Sequence, residues 1–182
     1  MEFTNSPLVV YTAFSPNHSG LRTHVIDRIT PHCVVGQLSV EVLGDIFLPV
    51  ERQASSNYGI GPDGRVAMYV EEKNRSWCSS SRANDQRAVT IECASDTTDP
   101  YAMTGTVFST LVTLCADICR RNGRSKLLWI PDREASLAYE PKRNEMLLTV
   151  HRCFANKSCP GDWLYNHLGT LAWQVTDRLR GE

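Results

Sequence analysis

The sequence has no apolar run approaching the roughly 20 residues a membrane-spanning helix requires, so stable insertion into a bilayer is not expected. Its start, Met1-Glu2-Phe3-Thr4-Asn5, lacks the basic residues and the apolar stretch of about 7–15 residues that make a secretory signal. Synthesis in the cytoplasm is therefore predicted, and a substrate beyond the cytoplasmic membrane implies either another exit route or an export signal that is not in this sequence. Charge of one sign is also missing. Nineteen Lys and Arg against twenty Asp and Glu leave a net charge of -1, so no global field draws the chain to nucleic acid. Repeats and low-complexity segments are absent, which argues against a solenoid or a string of linked modules. The seven cysteines are an odd number without the close, regular spacing of a small disulfide scaffold. They point to a reducing compartment for synthesis.

What remains is an ordinary globular composition, 42% hydrophobic and 21% charged over 182 residues. A chain of that length removes about 70% of its unfolded surface from water, so residues 1–182 are read as one domain that needs no metal merely to fold. Apolar, β-branched runs at 29–35, 65–70, 88–93, 126–130 and 147–151 predict strands. Pro62-Asp63-Gly64 predicts a hairpin turn joining 57–60 to the next strand. Helical spacing follows Thr104 as a cap, with Asn122-Gly123 as a stop. A second stripe, Leu164, Leu168, Leu171, Val175 and Leu179, marks a helix past Pro160, and a shorter helix is predicted over 39–47. Strands alternating with helices, one pair antiparallel, give an α/β class with a central mixed β-sheet flanked by helices.

Chemistry concentrates at residues 151–161. A predicted strand ends at His151, and a short loop then delivers Lys157 and Cys159 at a helix start. Imidazole nitrogen and thiolate sulfur are favoured zinc donors, although a lone His/Cys pair in an arbitrary chain is more often a pair of buried side chains. A third ligand is also needed. The spacing His-x5-Lys-x-Cys-Pro-Gly before a helix resembles the metal loop of the type 2 N-acetylmuramoyl-L-alanine amidases, the family of phage endolysins and peptidoglycan-recognition proteins. Upstream, Arg28-Ile29-Thr30-Pro31-His32-Cys33 resembles that family's first core strand. The run 55–64 resembles its Asp-Gly hairpin, and 84–92, ending Val89-Thr90-Ile91-Glu92, its Ile-Glu strand. The likeness to phage and prophage endolysins is strongest in 54–64 and at Trp77-Cys78-Ser79, where relatives carry Trp-His-Ala.

The resemblance implies an amidase type 2 fold and a zinc ion held by His32, His151 and Cys159. It implies Glu92 as general acid–base and Lys157 as the stabiliser of the oxyanion. The target is the amide between N-acetylmuramic acid and L-alanine of bacterial peptidoglycan, reached from the bacterial cytoplasm after holin-type release or lysis. Two departures stand out. Ser56 occupies a position where some relatives place a tyrosine, which shifts proton handling towards Glu92. Cys78 replaces a histidine and is assigned no role. His18, His24 and His167 are read as non-ligands. Two other readings compete: a thiol amidase or peptidase with Cys33 or Cys93 as nucleophile and His151 as base, and a non-catalytic peptidoglycan-recognition module. The first is weakened because no helix N-terminus follows either cysteine, and the second by the presence of Cys159.

Overall fold

The computed structural model describes residues 3–181. In chain order the elements are β1 (Val9–Thr12), β2 (His18–Leu21), β3 (Arg28–Cys33), α1 (Val40–Phe47), β4 (Tyr58–Ile60), β5 (Val66–Met68), β6 (Asn74–Ser76), α2 (Arg82–Arg87), β7 (Ala88–Cys93), α3 (Gly105–Arg121), β8 (Lys126–Leu128), α4 (Arg133–Ala138), β9 (Glu145–Leu148) and α5 (Gly161–Arg180). Seven strands form one sheet in the order β1-β5-β4-β7-β3-β9-β8, and β2 pairs with β6 in a separate ribbon. Among the described residues only β4 and β5 run antiparallel within the large sheet, joined by the Pro62-Asp63-Gly64 turn with Gly64 at φ 82°. The sheet is mixed, as the pattern predicts.

The strands at the centre, β3 and β7, are buried along nearly their whole length because helices cover both faces of the sheet. Alternation sorts the side chains. Ile29 and Cys33 of β3 and Val89, Ile91 and Cys93 of β7 join the main core with Leu111, Leu114 and Ile118 of α3 and Leu164, Leu168 and Leu171 of α5. Ala67 and Tyr69 turn the other way and pack with Val40, Leu43 and Phe47 of α1. Thr30, His32, Thr90 and Glu92 therefore project on the face that α3 and α5 do not cover.

Capping follows the local sequence. Ser39 and Thr104 accept backbone N–H bonds at the starts of α1 and α3, and Gly123 at φ 66° follows the Asn122 cap of α3. The Leu164, Leu168, Leu171 and Val175 stripe of α5 is fully buried, each such side chain contributing about 1.5–3 kcal/mol by leaving water.

Several boundaries differ from the sequence expectation. The strand expected to reach His151 stops at Leu148, and His151 sits in a one-turn 3-10 segment, His151–Cys153. The cause lies in β3. Its ladder with β9 takes the bonds from Leu147 N to Asp27 O and from Thr149 N to Ile29 O. The next donor on that edge belongs to residue 31, a proline, which has none, so the two chains part there. The segment 84–92 is not all strand: Arg82–Arg87 is helix, capped by Ser81, and only Ala88–Cys93 is extended. The strands expected at 65–70 and 126–130 narrow to three residues each. The elements β1, β2, β6, α2 and α4 were not anticipated, being too short to show a period.

Candidate active site

Parallel pairing of β3 with β7 sets His32 directly opposite Glu92, on one face of the sheet. Past the point where β9 leaves the ladder, the 3-10 turn brings His151 over the same end of the sheet. The loop that follows returns Cys159 just ahead of α5. One nitrogen of His32, one of His151 and the Cys159 sulfur lie within 4.8 Å of one another. Nδ1 of His32 is 3.2 Å from the sulfur, and the two imidazole rings meet edge to face at 5.2 Å between centroids. Tetrahedral zinc ligands at about 2.0–2.3 Å from the ion stand about 3.3–3.6 Å apart; the 3.2 Å between Nδ1 of His32 and the Cys159 sulfur is close to that, and two imidazoles and a thiolate suit zinc in donor type.

Polar partners hold this arrangement. Ser80 Oγ is 2.8 Å from Nε2 of His151, which leaves Nδ1 of that ring for an ion. Ser80 has φ 61° and follows Ser79 in a loop tied down by Asp85, which accepts from the backbone N–H groups of Cys78 and Ser79 and from Ser79 Oγ. Asn84, 1% exposed, donates from Nδ2 to Thr30 Oγ1 at 2.9 Å and accepts at Oδ1 from Thr149 Oγ1 at 3.0 Å. Thr30 and Thr149 also bond to each other at 2.7 Å. Each lies two residues before a histidine of the site, so one buried amide couples the two histidine-bearing segments.

The electrostatics suit a cation. Burial, then the neighbouring His151, push His32 down to about 3, so its imidazole is neutral, the form that ligates. Burial and then Lys157 push His151 down as well. The hydrogen bond with Cys33, then burial and the charge of Glu92, push the Cys159 thiol up, so a thiolate there needs a positive ion beside it. Glu92 is pushed up to about 8, first by burial and then by Cys33. One of its oxygens accepts from Cys78 Sγ at 3.8 Å, and the other is buried without a hydrogen-bond partner among the described residues.

These groups open onto a cleft of about 730 Å³, lined also by Arg52, Trp77, Ser158 and Lys157. Lys157 is exposed at the rim. The structure thus brings His32, His151, Cys159, Glu92 and Lys157 to one cleft. Ser56 is buried with its hydroxyl on the Tyr58 carbonyl, and no tyrosine lines the cleft. Cys33 lines the cleft, but Cys93 faces the main core, where burial raises its thiol. His18 bonds the backbone N–H of Gly20, and His167 sits on the Trp163 carbonyl in α5. Ser80, Asn84 and the contact of Cys78 with Glu92 were missed. The Ser79-Ser80-Ser81 run and the isolated Asn84 carry no spacing that marks them in the sequence.

Residues 22–162 match the family model described as N-acetylmuramoyl-L-alanine amidase. No curated protein sequence matches the chain. Among solved structures, a selenomethionine AmpD derivative is similar over 98% of this chain and 99% of its own, with 16% identity and a TM-score of 0.64. A mutant endolysin from Bacillus subtilis is similar over 91% and 97%, with 10% identity and a TM-score of 0.64. The Staphylococcus aureus hydrolase AmiA, in complex with its ligand, is similar over 98% and 85%, with 10% identity and a TM-score of 0.62. At these identities the solved structures establish a shared fold, while the sequence match spans most of the chain and every residue of the His/His/Cys group together with Glu92. The chain belongs to the N-acetylmuramoyl-L-alanine amidase family and is an enzyme of that class.

Proposed function

We propose that this chain is a zinc-dependent peptidoglycan amidase that hydrolyses the bond between the lactyl group of N-acetylmuramic acid and L-alanine, and that it serves as a phage or prophage endolysin acting on the cell wall after release. The observation that carries the zinc reading is the approach of His32, His151 and Cys159 within 4.8 Å beside a buried carboxylate at the floor of a cleft. Those three residues would hold the ion and leave a fourth position open, as catalytic zinc sites do. When bound, zinc supplies Lewis acidity and makes water acidic enough to attack an amide near neutral pH.

The chain's own groups do the rest. Glu92 has a free oxygen and an elevated affinity for protons, so it takes the proton of the attacking water and returns it to the leaving amine of L-alanine. With the Ser56 hydroxyl donated to the Tyr58 carbonyl and no phenol in the cleft, no other described side chain is as well suited to that task. Lys157, at the rim between His151 and Cys159, places an ammonium against the oxyanion that forms at the carbonyl carbon. Ser80 fixes the ring of His151. The endolysin reading is supported by the likeness of segment 54–64 and of Trp77-Cys78-Ser79 to that branch of the family.

Digestion of purified peptidoglycan with and without a chelator tests the reading. Intact stem peptides with new L-alanine amino termini are expected, and they disappear on chelation and return with zinc. Activity that survives chelation but is abolished by iodoacetamide would instead establish the thiol mechanism, with Cys33 as its nucleophile since Cys93 is sealed in the core.

A further inference from the structure

Cys78 has no part in the reading above, yet it belongs to a second group of donors. One nitrogen of His32, the Cys78 sulfur and an oxygen of Glu92 also lie within 4.8 Å of one another. His32 and Glu92 each also carry an orphaned atom: Nε2 of His32 and Oε2 of Glu92 are buried and have no hydrogen-bond partner among the described residues. His32 is 1% exposed, so water does not readily reach its ring. Buried polar atoms are nearly always paired, and an unpaired ring nitrogen and an unpaired carboxylate oxygen beside a thiol make a socket for a positive ion. Nitrogen, sulfur and carboxylate oxygen are the donor types of zinc and its softer congeners. Nδ1 of His32 already faces Cys159, so the ring has its other nitrogen to offer a second ion.

We propose that His32, Cys78 and Glu92 form a second site for a zinc-like divalent cation, filled only when metal is in excess, and that filling it stops hydrolysis. The imidazole of His32 bridges the two sites, Nδ1 to the first ion and Nε2 to the second. Binding releases the thiol proton of Cys78 and the remaining ring proton of His32 to solvent. Repulsion between two dications across one ring makes the second ion the weaker. Its effect on turnover follows from the loss of Glu92 as proton carrier. The site stands on the donor geometry alone, whereas the inhibition rests on the role proposed for Glu92.

Titration of the metal-free protein with Cd2+, followed by equilibrium dialysis and the ultraviolet cadmium–thiolate band, tests the site without any assay of activity. Two ions per chain and two thiolate contributions are expected. Cys78→Ser is expected to retain the first ion and to bind the second at least 10-fold more weakly, since even supporting residues at metal sites change affinity by about 10–100-fold. Glu92→Gln, checked for folding by thermal melting, is expected to weaken the same ion. Undiminished second-ion binding by Cys78→Ser overturns the site. In a parallel digestion, excess zinc is expected to inhibit the wild type and to spare Cys78→Ser. A Cys78-dependent second ion that leaves wild-type turnover intact overturns the inhibitory half of the proposal, and with it the role of Glu92 rather than the site.

Discussion

Glu92 combines a free oxygen, a buried setting and a place opposite His32, and each of these makes a measurable prediction. Glu92→Gln keeps the shape and removes the proposed proton carrier, so kcat is expected to fall about 10²–10⁴-fold while zinc is expected to stay bound, which metal analysis of the purified variant checks. The same carboxyl links stability to pH. Its folded value of about 8 exceeds the ordinary 4.5, so the metal-free folded state holds a proton that the unfolded chain releases. Stability from this group is full below about 4.5 and is lost as pH rises to about 8, with a slope of at most about 1.4 kcal/mol per pH unit. His32, depressed to about 3, acts in the opposite sense below about 6.5, so the fall stands out between about 6.5 and 8. Urea melts of metal-free wild type and Glu92→Gln across that window are expected to diverge, and zinc is expected to remove the divergence by favouring the carboxylate. Lys157 is exposed to solvent. Lys157→Met is expected to lower kcat by about 10²–10³-fold, the loss typical of one oxyanion donor, with an unchanged melting temperature.

Among the elements, the meeting of β3, β9 and α2 decides where the histidines stand. Pro31 ends the β3–β9 ladder, and Asn84 of α2 then bonds Thr30 and Thr149, so one side chain anchors both branches after they part. Asn84→Ala leaves those two hydroxyls with only each other. Its expected cost is about 1–3 kcal/mol in denaturant melts, together with weaker zinc binding, because the anchored residues lie two positions before His32 and His151. These segments also separate what a sequence pattern reveals from what it hides. The α3 and α5 stripes are long enough for a period to register, and their caps are explicit in Thr104 and Asn122-Gly123. The six-residue α2 is too short for that, and its polar sequence Arg-Ala-Asn-Asp-Gln-Arg buries Asn84, Asp85 and Gln86 for bonds made elsewhere in the fold.

In the molecule as a whole, the metal-ligating residues proposed here come from positions 32, 151 and 159, joined across a sheet whose core is closed by α3 and α5 on one face and α1 on the other. That core is apolar and continuous without them. Chelated protein is therefore expected to stay folded, and zinc is expected to add about 2.7 kcal/mol when present at 100 times its dissociation constant. For a chain of this size that corresponds to a rise of roughly 5–11 °C in melting temperature, measurable by calorimetry. A chelated protein that has lost its fold would show instead that the ion is a structural element.

The linear chain determined the class of the fold, the hairpin, the two long helices and the resemblance that singled out His32, Glu92, His151, Lys157 and Cys159. Those features depend on periodicity, turn chemistry and short spacings, all of which are local. Only the tertiary structure decided that His151 leaves its strand for a turn, that Ser80 holds its ring, and that Cys78 touches Glu92. Each of those outcomes joins residues 14 to 120 positions apart through pairing across the sheet, and such contacts come from the register of strands rather than from the identity of neighbours along the chain.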